Sequence, residues 1–208
     1  MENNTIQKGQ LIVVSGPSGA GKGTVLAKAF EKQPNLRYSV SVTTRAPREK
    51  EVDGVDYYFK NIDEYMKMLH NNEFLEHQCV YGNYYGTPRK KVEETLEKGY
   101  DVVLEIDVKG ALEIKSRFPE AVMIFITPSD RETIEERLKK RSTEKEEELM
   151  VRIGSALDEL RQAEKYDYVV VNEDAEKSAE DIAAIIRAEK CSTAKNKIFL
   201  NKLIYGGN

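Results

Sequence analysis

The chain has 208 residues, 40% hydrophobic and 33% charged, which suits one or two soluble globular domains with a full core. It carries 32 basic and 36 acidic residues, a net charge of −4 that argues against a nucleic-acid binder driven by overall charge. Two cysteines (Cys79, Cys191) and two histidines (His70, His77) are too few for a metal cage. No apolar run reaches membrane-span length and Met1-Glu-Asn-Asn does not read as a signal peptide, so a cytoplasmic setting with reduced thiols is expected.

Residues 1–10 are polar and expected to fray. From Leu11 to Val14 an apolar run predicts a buried parallel strand, and Val25, Leu26, Ala29 and Phe30 recur at helical spacing after it. Between them lies Ser15-Gly-Pro-Ser-Gly-Ala-Gly-Lys22, a loop with the strand-before, helix-after context of a phosphate-binding P-loop. Glycines let consecutive backbone N–H groups turn toward phosphate oxygens, the helix N-terminus adds partial positive charge, and Lys22 supplies a mobile cation. Gly23 stands where the usual pattern has Ser or Thr, so the hydroxyl that commonly touches Mg²⁺ is missing there. Thr24, one residue on, is the candidate to reach phosphates or metal through water. Gln33-Pro34-Asn35 stops the helix.

The alternation Ser39-Val-Ser-Val42 predicts a half-buried strand, followed by an extended loop with Arg45 and Arg48 around Pro47. That loop reads either as a clamp for a phosphate monoester or as a solvated basic loop. Asp53-Gly54 signals a turn and Tyr57–Phe59 a short strand. Ile62, Tyr65, Met66 and Leu69 predict a helix, Phe74 to Val80 a strand carrying Glu76, and Gly82–Pro88 a tight turn rich in hydroxyls. A helix from Arg89 to Lys98 is capped by Gly99. The span 38–90 thus interrupts a βαβ pattern that resumes at residue 101.

Asp101 to Asp107 predicts a second buried strand ending in Glu105 and Asp107, placed to hold Mg²⁺ waters or substrate, with helix capping as the other reading of Asp107. A helix to Arg117 and a third buried strand, Ala121 to Ile126, follow. Ser129 with Glu132 has capping-box spacing. The charge-dense stretch to Arg152 reads as a solvated helical pair or as a mobile lid whose arginines close on transferring phosphates. Tyr168–Val171 predicts a strand leading to Asn172, and 176–190 a last helix. The tail from Cys191 shows no clear period, and Ile198, Phe199, Leu203 and Ile204 in it either dock or stay loose. These residues together describe an α/β P-loop phosphotransferase with an inserted small domain and an arginine-rich lid.

Over residues 9–190 the chain resembles the guanylate kinases, nucleoside monophosphate kinases of the P-loop class. The motifs are, in order, Ser15–Lys22, Ser39-Val-Ser-Val-Thr-Thr-Arg-Ala-Pro-Arg48, Gly54-Val-Asp-Tyr-Tyr-Phe59, Asn72-Glu-Phe-Leu-Glu76, Gly82-Asn-Tyr-Tyr-Gly86, Leu104-Glu-Ile-Asp107 and Glu136-Arg-Leu-Lys-Lys-Arg141. The resemblance implies a parallel sheet flanked by helices, with a core of 1–37, 92–136 and 160–190. It also implies a GMP-binding domain (38–91), a lid (137–159) and a C-terminal tail (191–208). ATP would lie on Gly16, Pro17, Ser18, Gly19, Ala20, Gly21, Lys22, Gly23 and Thr24, with Arg137 and Asn172 against adenine. The GMP phosphate would be held by Arg45, Arg48, Tyr57 and Tyr85, with Glu51 supporting that loop. Glu76 would accept from guanine N1–H and the 2-amino group, Ser41 and Thr87 would donate to O6, and Asp107 would bind substrate.

Lys22, Arg48, Arg141 and Arg152 would act on the transferring phosphoryl group. Mg²⁺ would be held through phosphates and water near Thr24, Glu105 and Asp107. The implied partners are ATP and GMP, with ADP and GDP in reverse and dGMP as a further acceptor; no nucleic acid or membrane is among them, and a homodimer is left open. Two other classes stay open, a phosphate-free binding module of this fold and a kinase for AMP or dTMP. Lys22 with Arg45, Arg48, Arg141 and Arg152 argues against the first. Glu76 argues against the second, because a carboxylate offers only acceptors and guanine offers two adjacent donors. Ser142, where Gly is frequent in the family, puts the ease of lid closure in question.

Overall fold

The apolar run Leu11–Val14 forms β1 (Leu11–Ser15), the central strand of a five-stranded, all-parallel sheet. The computed structural model describes residues 8–80, 82–141 and 146–206; the side chains of 140–149 lie outside that description, and with them the readings placed on Arg141 and Ser142, as do Met1–Asn4. Beside β1 lie β7 (Asp101–Glu105) and β8 (Val122–Thr127), with β2 (Leu36–Tyr38) outside β7 and β9 (Tyr168–Val171) outside β8. Strand order therefore reverses at β1, and in such sheets the crevice beyond the strands' C-terminal ends is where ligands bind.

The period-two alternation of β1 divides the core in two. Ile12 and Val14 pack with Val25 and Leu26 of α1 (Lys22–Lys32) and with Ile182 and Ile186 of α7 (Ala175–Lys190). Leu11 and Val13 pack on the other face with Val92 and Leu96 of α3 (Arg89–Glu97) and Ala111 and Ile114 of α4 (Val108–Arg117). Each such fully buried aliphatic side chain contributes about 1.5–3 kcal/mol. No described helix is long and apolar enough to cross a membrane.

A second, mixed sheet has the order β4 (Tyr57–Phe59), β3 (Ser41–Thr43), β6 (Asn83–Pro88), β5 (Phe74–Val80). Behind it lies α2 (Ile62–His70), begun by a reciprocal Asn61–Glu64 capping box. The β5–β6 ladder slips between Phe74↔Pro88 and His77↔Gly86, so two residues, Leu75 and Glu76, oppose one, Thr87. This bulge breaks the usual alternation, and both Leu75 and Glu76 are buried. Two further helices, α5 (Arg131–Arg141) and α6 (Glu146–Leu160), pack through Ile134, Leu138, Ile153 and Ala156. The last described helix is α8 (Lys197–Tyr205).

Four expectations change. Tyr38, placed with the inserted domain, closes an edge strand of the main sheet paired to β7. Residues 83–88 are a strand and not a turn: Gly82, at φ +77°, precedes it in the left-handed region, Tyr84 and Tyr85 pair with β5, and Tyr85 pairs with β3 on its other side. Asp130, not Ser129, caps α5; its Oδ1 accepts from the Thr133 N–H at 2.6 Å while its Oδ2 accepts from the Ser129 hydroxyl at 3.0 Å. A carboxylate is the better acceptor for a positive helix end. The tail is helical, with Phe199, Leu200, Leu203 and Ile204 on one stripe.

Candidate active site

The P-loop opens at the switch point, between β1 and α1. Gly21 begins the helix in the left-handed region at φ +85°, where a Cβ would also meet Asn172 Nδ2 at 2.5 Å. Three side chains hold the loop's carbonyls from outside. Lys22 Nζ donates to Gly16 O at 2.6 Å and Pro17 O at 3.2 Å. Arg137 Nη1 donates to Gly19 O at 3.2 Å, and the buried Asn172 donates through Nδ2 to Ala20 O at 2.7 Å. Because a peptide unit is planar and trans, pulling Ala20 O outward turns the Gly21 N–H the other way. Ser18, Gly19, Gly21, Lys22, Gly23, Thr24 and Glu105 line a cavity of about 460 Å³.

Two carboxylates face this cation. Glu105, at the end of β7, is pushed above the usual carboxylate range by burial, an effect Lys22 opposes. Glu159, near the end of α6, is likewise pushed up by burial, with Lys22 and a hydrogen bond from the Ser18 N–H opposing it. Glu159 escapes sequence analysis because it sits in a charge-dense helix where no spacing marks it. Arg152, also on α6, is half-buried and partnered.

The second cluster lies on the front of the mixed sheet. Glu51 joins its arginines: Oε1 accepts from Arg45 Nη2 at 2.9 Å and Oε2 from the Arg48 N–H at 2.8 Å. The Arg45 hydrogen bond, and then that of the Arg48 N–H, hold the Glu51 carboxyl below its ordinary range. Arg45 lies 5.4 Å from the Tyr57 ring centre, and the Tyr57 and Tyr85 rings meet edge-on at 6.0 Å. The Arg48 side chain is 78% exposed, with its Nη1 3.9 Å from Glu51 Oε1. Ser41, half-buried, pairs with Tyr57 across β3 and β4.

Glu76 is 4% exposed. The Thr87 hydroxyl donates to its Oε1 at 2.6 Å, so that proton is engaged before any ligand arrives. Oε2 lies beside Gly110, where an added Cβ would come within 2.7 Å of it. Asp107 caps α4, accepting from the Gly110 N–H at 2.7 Å, as the capping alternative has it. Burial raises the Glu76 carboxyl to about 7, with Thr87 opposing the rise and the Asp107 charge adding to it.

The folded state therefore holds the Glu76 proton more tightly than the unfolded chain, whose ordinary value is 4.5. The stabilisation is complete below about 4.5 and is lost as pH rises through about 7, at most about 3 kcal/mol. Urea unfolding of the ligand-free chain between those limits should show a fall in stability that Glu76→Gln removes; an unchanged slope in the variant would place the titration elsewhere.

The family model described as guanylate kinase matches residues 8–189. The guanylate kinase of Caldanaerobacter subterraneus subsp. tengcongensis is 52% identical over 191 residues, covering 92% of this chain and 93% of that protein. That of Carboxydothermus hydrogenoformans is 50% identical over 185 residues, covering 89% and 91%. Among solved structures, a guanylate kinase from Anaplasma phagocytophilum superposes with a TM-score of 0.78 at 36% identity, covering 97% of this chain and 98% of that one.

Proposed function

The chain belongs to the guanylate kinase family, and from that premise we propose how its own residues carry the transfer of the γ-phosphoryl group of ATP to GMP, giving ADP and GDP. The observation that carries the assignment is the buried Glu76 carboxyl beside Thr87: an acceptor pair in a dry site, short of donors, matches the adjacent N1–H and 2-amino donors of guanine. Because Thr87 already donates to Glu76, its role is to fix the carboxylate, and Ser41 is the hydroxyl left for O6.

Arg45, Arg48, Tyr57 and Tyr85 bind the GMP phosphate. Truncating the brace that joins the two arginines, Glu51→Ala, should raise KM for GMP about tenfold with kcat nearly unchanged, since the loop is mispositioned and the chemistry is not. A kcat loss larger than the KM change in steady-state assays would move Glu51 into the reaction itself.

ATP phosphates lie on the backbone N–H groups of residues 16–24, and Lys22 follows them. Asn172 and Arg137 shape that loop through its carbonyls, with Arg137 also able to face the adenine ring. Thr24 and Glu105 are hard oxygen donors at the P-loop cavity and fit Mg²⁺, while no described cluster of three or more His, Cys, Asp or Glu could hold a metal unaided. A nucleotide-borne Mg²⁺ would neutralise phosphate charge there.

No protein base is needed, because the acceptor is already a phosphate anion. Arg48, Arg141 and Arg152 stabilise the transferring group as the GMP domain, which begins after Tyr38, and the lid (137–159) close over the core and exclude water. A cytoplasmic setting goes with these substrates. The test is ADP release from ATP–Mg²⁺ with GMP and AMP offered separately. Turnover on GMP far above that on AMP supports the reading. Turnover on AMP comparable to that on GMP overturns the role of Glu76, and none on either overturns the whole.

A further inference from the structure

The strand that carries Glu76 is loosely held by its own sheet. β5 is an edge strand, so only β6 pairs with it. At the bulge that pairing is interrupted, and Phe74 lies opposite Pro88, which has no N–H to give. Arg89 Nη2 supplies Phe74 O instead, at 3.0 Å. What fixes β5 here comes from side chains and from α4. Leu75 shares a core cluster with Ala111 and Ile114 of that helix. Arg117, in the last turn of α4, donates through Nη1 to Leu75 O at 2.8 Å and pairs through Nη2 with Glu113 Oε1 at 2.8 Å. Glu113 Oε2 in turn accepts from Gln78 Nε2 at 3.4 Å. The strand is thus tied to α4 one residue before Glu76 and two residues after it.

The tie at Leu75 reaches Glu76 through the backbone. A trans peptide is planar, so fixing Leu75 O fixes the plane that ends at the Glu76 Cα. Thr87 holds the other end of the side chain. Little slack is left between them, since a Cβ on Gly110 would come within 2.7 Å of Glu76 Oε2. We propose that Arg117, which lies in none of the motifs shared with the family, is a positioning residue for base selection: by holding Leu75 O, and Gln78 through Glu113, it sets where the Glu76 carboxylate stands. The proposal rests on Glu76 as the acceptor for guanine. Arg117 paired with Glu113 alone, at i,i+4 and 47% exposed, would be a surface ion pair of small effect. The bond to the carbonyl is what connects it to the site.

Arg117→Met keeps the apolar stem and removes both ties. It should lower kcat/KM for GMP about tenfold, leave that for AMP and KM for ATP unchanged, and so narrow the GMP-to-AMP ratio about tenfold. Arg117→Lys, which keeps a donor for Leu75 O, should recover part of the ratio. Lys115→Met is the control from the same helix. It loses bonds to Ala121 O and Asp167 Oδ2, and should lower the melting temperature with the ratio intact. The decisive measurement adds Arg117→Met to Glu76→Gln. If Arg117 acts through Glu76, the second substitution should change the ratio by less than about twofold. A full further tenfold loss overturns the proposal. So does an unchanged ratio in Arg117→Met, an equal loss on GMP and AMP, or a Lys variant no better than Met. In each of these cases a ratio that still collapses in Glu76→Gln alone leaves the guanine reading standing, whereas a ratio unmoved by Glu76→Gln removes that reading and the proposal with it.

Discussion

Replacing Lys22 by methionine should lower kcat for GMP phosphorylation by about 10³-fold or more, the scale seen when a preorganised cation at a transferring phosphoryl group is lost. Methionine keeps most of the apolar stem and removes the charge. The bonds it loses include those to Gly16 O and Pro17 O, within the loop itself, and Arg137 and Asn172 still hold the neighbouring carbonyls. The loop should therefore survive while the chemistry fails. A thermal melt within a few degrees of wild type, together with the kcat loss in a coupled assay, is the expected pair of results. A loss below about tenfold would mean that Lys22 neutralises bound ATP without acting in the transition state.

Glu76→Gln should reduce kcat/KM for GMP by about 10³-fold and leave the slow reaction with AMP unchanged. The amide sets an N–H₂ donor against a guanine donor and removes a charge-assisted acceptor, and sites built on hydrogen bonds discriminate on this scale. The Thr87 hydroxyl can still donate to the amide oxygen, so folding is preserved. The same site has a pH signature. Since the carboxyl titrates near 7 in the empty site, guanine binding to the ionised form must expel a proton at lower pH. Affinity for guanosine should fall about tenfold per pH unit below about 7, and the Gln variant should show no slope. Guanosine is the right probe because GMP adds its own phosphate titration near 6. An unchanged GMP-to-AMP ratio in the variant would remove Glu76 from base recognition.

Much of the fold is legible in the sequence. The P-loop context is local: an apolar run, three glycines and a lysine in register are set by adjacent residues. Buried strands such as 101–105 and 122–127 announce themselves because both faces are covered. Sequence reasoning fails where tertiary partners decide. Residues 83–88 look like a turn alone and become a strand only when β3 and β5 flank them. Glu159 reaches Ser18 through the fold, and nothing in its own helix distinguishes it. Thr87 has a hydroxyl proton that suits the ligand on paper, and a buried neighbour takes it first. The period of α8 is hidden because its apolar residues run nearly all round a nine-residue helix.

The bulge at Leu75–Glu76 ties base preference to strand arithmetic. Two residues on β5 share one partner on β6, so two neighbours are both buried where regular alternation would expose one, Leu75 in the core with α3 and α4 and Glu76 beside Thr87 and Gly110. Taking out either residue would restore regular pairing and leave a single side chain opposite Thr87, so the apolar contact and the carboxylate could not both be kept. With Glu76 in its proposed role, the pocket is guarded by chain length as well as by residue identity.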